Sequence, residues 1–129
     1  MLDSLISSRR NPLVKRLRSL SSRQGRDNEG LLLLEGTHLL QELIRCHLKP
    51  VELVATERWC LHHQQLLDDL DGSAPIRLVT EEVLKAALST ITPDGVACLC
   101  PLDVLPDPPT DVNFLLVLDR IQDPGNLGT

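Results

Sequence analysis

Residues 31–56 read LLLLEGTHLLQELIRCHLKPVELVAT, and this stretch decides the fold. Four leucines followed by Glu35 and Gly36 make a short, continuously apolar run, which suits a strand covered on both faces. Thr37 is then expected to cap a helix over THLLQELIRCHL, with Leu39, Leu40, Leu43 and Ile44 recurring on its inner side. VELVAT is a second strand, ending at Thr56. A strand, a helix and a strand in such close succession point to an α/β domain.

The alternation continues downstream. ERWCLHHQQLLDDL predicts one helix with Trp59, Cys60, Leu66, Leu67 and Leu70 as its apolar face, and IRLV a third strand. TEEVLKAAL predicts a helix capped by Thr80, with Glu81 and Glu82 placed to suit the helix dipole. VACLC, residues 96–100, is a fourth strand. The expectation for residues 1–100 is a small three-layer α/β sandwich around a mostly parallel four-stranded sheet.

Upstream, NPLVKRLRSLSSRQ opens with Asn11 as an N-cap and Pro12 at the first helical position. Leu13, Val14, Leu17 and Leu20 form one apolar stripe, and Lys15, Arg16, Arg18 and Arg23 occupy the rest of the circumference. Gly25, Asp27, Asn28 and Gly30 predict a turn that ends this helix. At the other end, PLDVLPDPPTD carries four prolines between Pro101 and Asp111, so residues 101–112 read as a stiff linker. NFLLVLD then begins a strand with nothing in its own segment to pair with, which makes residues 113–129 the opening of a second domain.

The chain of 129 residues, 42% hydrophobic and 24% charged, has room for one modest domain. No apolar run approaches the roughly 20 residues needed to cross a bilayer, and MLDSLISSRRN lacks the apolar stretch of a secretory signal. A cytoplasmic protein with no membrane partner is expected. Cys46, Cys60, Cys98 and Cys100 form no C-x-x-C pair. Buried free thiols are expected, rather than a zinc centre built from Cys60, His62, His63 and a distant ligand. His38, His47, His62 and His63 have no nucleophile or carboxylate at catalytic spacing and are expected at the surface or its boundary.

The net charge of −5 hides an asymmetry. Residues 1–26 hold Arg9, Arg10, Lys15, Arg16, Arg18, Arg23 and Arg26 against Asp3, a balance of +6, while the remainder stands at −11. A basic segment on an acidic body fits a phosphate backbone as its partner; a solvated basic helix beside an acidic neighbouring surface is the other reading. With one Trp, one Phe and no Tyr, recognition of splayed bases by aromatic stacking is not expected. VLDRIQDPGNLGT ends in a Gly/Pro/Asn loop after a strand but lacks the G-x-x-x-x-G-K-[ST] of a nucleotide hydrolase.

Asp119, Asp123, Pro124, Asn126 and Gly128 in LDRIQDPGNLGT match D-x-x-x-D-P-x-N-x-G, and on these residues the chain resembles the SpoU/TrmH family of RNA ribose methyltransferases. ISSRRNPLVKRLRSL, Arg26, LLLLEGTHLLQE and TPDGVACLC are similar, in order and spacing, to the substrate-binding domain that precedes the catalytic domain in many of its members. The resemblance implies a ribosomal-protein-like sandwich that grips structured RNA, ribosomal or transfer, followed by the first strand of a trefoil-knotted domain through which the whole protein dimerises.

The implied chemistry is transfer of a methyl group from S-adenosylmethionine to a ribose 2′-hydroxyl, which requires in-line alignment and help in removing a proton from a weak acid. Asn126 is the catalytic residue the resemblance assigns here; its arginine partner and the cofactor motifs fall beyond Thr129, so no cofactor-binding residue is assigned and the 129 residues alone are expected to be inactive. No metal site is implied. RNA contacts are assigned to Arg9, Arg10, Asn11, Lys15, Arg16, Arg18, Arg23 and Arg26. Without the resemblance, Asn126 reads as a cap for a following helix, Asp123 and Pro124 as turn formers, and Glu35 as a partner for a basic group or a backbone N–H. The competing function is a stand-alone RNA-binding or ribosome-associated module without catalysis.

Overall fold

The computed structural model describes residues 4–128, so residues 1–3 and Thr129, the outer ends of the two expected domains, lie outside it. Helices α1 (Pro12–Ser19) and α2 (Arg23–Glu29) precede β1 (Leu31–Glu35), α3 (Thr37–Arg45) and β2 (Glu52–Ala55). There follow α4 (Glu57–His62), α5 (Gln64–Asp69), β3 (Ile76–Leu78), α6 (Glu81–Ala87) and β4 (Val96–Pro101). A 3-10 turn (Leu102–Val104) closes this part, and α7 (Pro124–Gly128) stands alone near the end.

The sheet order is β1-β4-β2-β3. β4 is antiparallel to both neighbours, with Leu33 opposite Leu99 and Val54 opposite Ala97, whereas β2 and β3 are parallel. The sheet is therefore mixed, and the mostly parallel arrangement expected from the alternation is corrected. β1, β2 and β3 do run in one direction, as their helical crossovers dictate, but the first crossover leaves a gap one strand wide. The loop after α6 turns the chain back into that gap. β4 can occupy it because Val96 to Cys100 are buried without interruption, as a central strand requires.

Apolar side chains cover both faces, giving three layers. On one face Leu13, Val14, Leu17 and Leu20 pack with Val83, Leu84 and Ala87 over Val54 and Leu99. On the other, Leu40, Leu43, Trp59 and Leu70 cover Leu53, Ala55, Val96, Cys98 and Cys100. Strand alternation sorts these residues, since neighbours along a strand face opposite ways. Cys98 and Cys100 are buried free thiols, but Cys46 is exposed and Cys60 only half-buried.

Local chemistry accounts for the other departures. The Asn11 side chain caps α1, accepting from the Leu13 N–H at 2.9 Å, and Thr80 and Thr56 cap α6 and α4 in the same way. The turn expected around Gly25 is helix α2 instead, because the Ser22 hydroxyl caps it and accepts from the Gly25 N–H at 3.1 Å. Gly25 lies against the end of α1, where a Cβ would fall 1.8 Å from the Ser19 carbonyl oxygen. The single helix expected over residues 57–70 is broken at His63, whose φ/ψ of −128°/37° separates α4 from α5. Residues 113–119 form no strand, and Phe114 to Leu118 are exposed, as befits a segment without a ladder partner.

Candidate nucleic-acid interface

Helix α1 carries its charge on an anchored base. Its leucines are inserted against α6 and the sheet, Leu17 to 1% exposure, so Lys15 and Arg18 must point outward. The segment before it is also tied down. The Ile6 N–H donates to the Leu78 carbonyl at 2.9 Å and the Ile6 carbonyl accepts from Thr80 at 3.0 Å. The Asn11 N–H closes onto the Ser8 carbonyl at 3.0 Å, which presents Arg9 and Arg10 from a held turn.

The cations singled out in the sequence divide into two groups. Arg9, Arg10, Lys15 and Arg18 are exposed, and among the described residues their side chains make no ion pair or hydrogen bond. The others are engaged. Arg16 lies 3.4 Å from Glu29 and 3.6 Å from Glu52, a carboxylate on β2 that is only 7% exposed. Arg23 faces Asp27 at 3.8 Å, and Arg26 donates to the Leu20 carbonyl at 3.0 Å, satisfying the C-terminal end of α1. Asn11 serves as the cap already described.

Arg77 completes the Glu52 pairing at 3.0 Å, where it serves as a charge contact. The sequence reading missed it, because one arginine within the apolar run IRLV gives no charge cluster to notice. Its position between Ile76 and Leu78 was the available signal, since alternation turns it to the face opposite theirs. Lys15, Arg16, Arg77, Asn11, Ser19 and Glu29 line a hollow of about 720 Å³ beside α1.

This division changes what a mutation should do. Arg16→Glu would place a third carboxylate beside Glu29 and the buried Glu52 and should cost about 2–3 kcal/mol of stability. Arg18→Glu, on the exposed side, should stay within about 0.5 kcal/mol. Urea unfolding of the two variants checks this, and equal stabilities would remove Arg16 from the structural group.

Two carboxylates hold the loop between α6 and β4 against the start of α3. Glu35 accepts from the Ser89 N–H and hydroxyl, each at 2.8 Å, from the Thr90 N–H at 2.9 Å, and from the Thr90 hydroxyl. Asp94 accepts from the Thr37 N–H at 2.8 Å, taking the capping role expected of Thr37 itself. Burial raises both carboxyls, but the donated hydrogen bonds outweigh it and hold each below its ordinary value. A depressed folded-state value stabilises the fold above the ordinary carboxylate range, and that contribution disappears as pH falls through the depressed values. Stability should therefore fall on acidification below about pH 4.5. Glu35→Gln should flatten that fall in denaturant titrations between pH 6 and 3. A variant with the wild-type acid slope would show that this network does not report on folding.

The terminal motif is ordered differently from its expectation as a cap. Asn126 lies inside α7, its N–H donating to the Asp123 carbonyl at 3.1 Å, and Asp123 accepts from the Gly125 N–H at 2.8 Å at the helix start. The described side chains between residues 111 and 128 are exposed.

Comparison with known proteins supplies the remaining findings. The family model of the MRM3-like substrate-binding domain matches residues 11–98. An uncharacterized tRNA/rRNA methyltransferase of Synechocystis sp. is 43% identical over 126 residues, covering 96% of this chain and 46% of its own length. The 23S rRNA (guanosine(2553)-2′-O)-methyltransferase RlmP of Bacillus subtilis is 28% identical over 126 residues, with 96% and 47% covered. The chain thus spans about half the length of these relatives. Among solved structures, an RNA 2′-O ribose methyltransferase superposes with a TM-score of 0.66 at 22% identity, covering 97% of this chain and 49% of that one. An AdoMet-bound rRNA methyltransferase from Sinorhizobium meliloti gives 0.62 at 21% identity, with 76% and 36% covered. These likenesses extend to the fold. No helix among the described residues is long and apolar enough to cross a membrane.

Proposed function

Because the chain belongs to the family of MRM3-like substrate-binding domains, we propose that it provides the RNA-gripping part of a ribose 2′-O-methyltransferase. The observation that carries this reading is the set of four cations, Arg9, Arg10, Lys15 and Arg18, unpaired among the described residues and displayed by a turn and helix whose other side is locked into the core. Such an arrangement meets a phosphate backbone without first breaking protein ion pairs, and it fixes the register of the RNA without reading its sequence.

Residues up to about 100 act as the substrate-binding domain, residues 101–112 as a linker and residues 113–129 as the start of the catalytic domain. In the whole protein, exposed Phe114 to Leu118 become a strand with a partner sheet, and Asn126 orients the ribose. S-adenosylmethionine supplies the activated methyl group there; the residues described here do not form its site. The substrate is ribosomal or transfer RNA, and the whole enzyme is a cytoplasmic homodimer.

The test uses the whole protein with labelled S-adenosylmethionine and ribosomal or transfer RNA as methyl acceptor. Asn126→Ala should lower the methylation rate by about 10- to 100-fold while leaving RNA affinity within about twofold, because a residue aligning the reacting hydroxyl acts chiefly in the transition state. A protein that binds RNA but never transfers a methyl group would make the stand-alone binding module the correct reading.

A further inference from the structure

We propose that the cleft between α4, α6 and the loop at residues 91–95 seats one unstacked nucleotide of the bound RNA; the proposal rests on the RNA-gripping reading above. The cleft measures about 670 Å³, within the range of roughly 300–1,000 Å³ typical of small-ligand sites. It opens just beyond the carboxyl end of β2, where α/β sheets characteristically receive ligands.

Its wall is the aromatic surface that the composition made scarce. Trp59, the only tryptophan, lies stacked on His63 with ring centroids 4.5 Å apart and planes 12° apart. The pair is rigidly held, since the Trp59 indole N–H donates to the Thr37 hydroxyl at 2.9 Å and His63 Nδ1 lies 2.9 Å from the Trp59 carbonyl oxygen. Trp59 is buried, whereas His63 is half-exposed and lines the cleft, so a base can extend the stack on the imidazole. Pro93 and the 86%-exposed Ile91 add an apolar lip.

Charge completes the fit. Arg58 on α4 and Lys85 on α6 are both exposed and line the cleft from its two helices, where a phosphate flanking the seated base would meet them. Glu81 faces Arg58 at 4.0 Å, but both side chains are largely exposed, so the pair is weak and yields to a phosphate. Asp94, also in the cleft, has its carboxylate engaged by Thr37. An aromatic shelf beside two cations matches a nucleotide better than an apolar peptide segment.

The experiment titrates the 129-residue chain with two RNA duplexes, identical except that one carries a single bulged 2-aminopurine. The bulged duplex should bind about tenfold tighter, with altered 2-aminopurine fluorescence and a change in Trp59 emission. His63→Ala should abolish the preference. The surface double variant Arg58→Gln/Lys85→Gln, which spares the helix break at His63, should do the same and lower the log-log salt slope for the bulged duplex by roughly 0.7 to 0.9. Neither should alter binding of the plain duplex, while Arg18→Gln should weaken both duplexes alike. Equal affinities with Arg18-dependent binding would overturn the cleft proposal and leave the RNA reading standing. Failure to bind either duplex would overturn both, and a Trp59 response to an apolar peptide but not to the bulged RNA would reassign the cleft.

Discussion

Alanine at position 95 should lower the stability of the domain by about 3–5 kcal/mol, the sum of a forced backbone conformation and an overpacked contact. Gly95 has φ of +117°, a region that L-residues avoid. A Cβ there would also stand 2.8 Å from the Trp59 Cβ and 3.2 Å from the Thr56 hydroxyl. Neither neighbour can retreat, because Trp59 is 3% exposed and the Thr56 hydroxyl accepts the Trp59 N–H that starts α4. For a domain of this size the loss corresponds to a melting point lower by roughly 15 to 30 °C. Thermal unfolding followed by circular dichroism decides it; a drop of under 5 °C would mean that the loop relaxes freely.

Neutralising Arg9, Arg10, Lys15 and Arg18 together with glutamine should lower affinity for structured RNA by roughly two to three orders of magnitude near 0.15 M salt. The estimate follows from counterion release: each lost phosphate contact removes roughly 0.7–0.9 from the log-log salt slope, and four remove about 3. Arg16 is left in place because its pairing with Glu52 would mix a folding defect into the result. Stability of the quadruple variant should stay within about 1 kcal/mol of wild type, since these side chains are exposed and, among the described residues, make no ion pair or hydrogen bond. Filter binding between 50 and 300 mM salt provides the measurement. An unchanged slope would move the interface away from α1.

Element types were legible wherever a single period dominated. Leu13, Val14, Leu17 and Leu20 marked one helical stripe, and the short apolar runs at 31–34 and 96–100 marked strands, the first half-buried beyond Leu31 at the sheet edge and the second buried. Strand order was not legible, because burial on both faces says that a strand is central without saying between which neighbours. Helix α2 was hidden by Gly25, which reads as a breaker but serves close packing on α1. The capping of α3 by Asp94 escaped for a different reason: the donor and acceptor are 57 positions apart, and local pattern carries no information about such pairs. Similarly, seven basic residues in one segment were visible, but which of them the fold consumes depends on Glu29, Glu52, Asp27 and the Leu20 carbonyl.

β4, one of the two inner strands, is the last strand of the sheet to be synthesised. β1 and β2 share no ladder with one another, and β4 is the neighbour that joins them. A chain emerging from the ribosome can therefore pair β2 with β3, but its first strand stays unmatched until residues 96–101 arrive. Closure is a late event that joins segments more than 60 positions apart, Leu31 with Pro101 at the extreme, and the loop-closure entropy must be met before the ladder rewards it. Vectorial synthesis thus leaves the leucine-rich first strand as an open edge for much of translation, a period in which it is exposed to misassociation with other nascent chains.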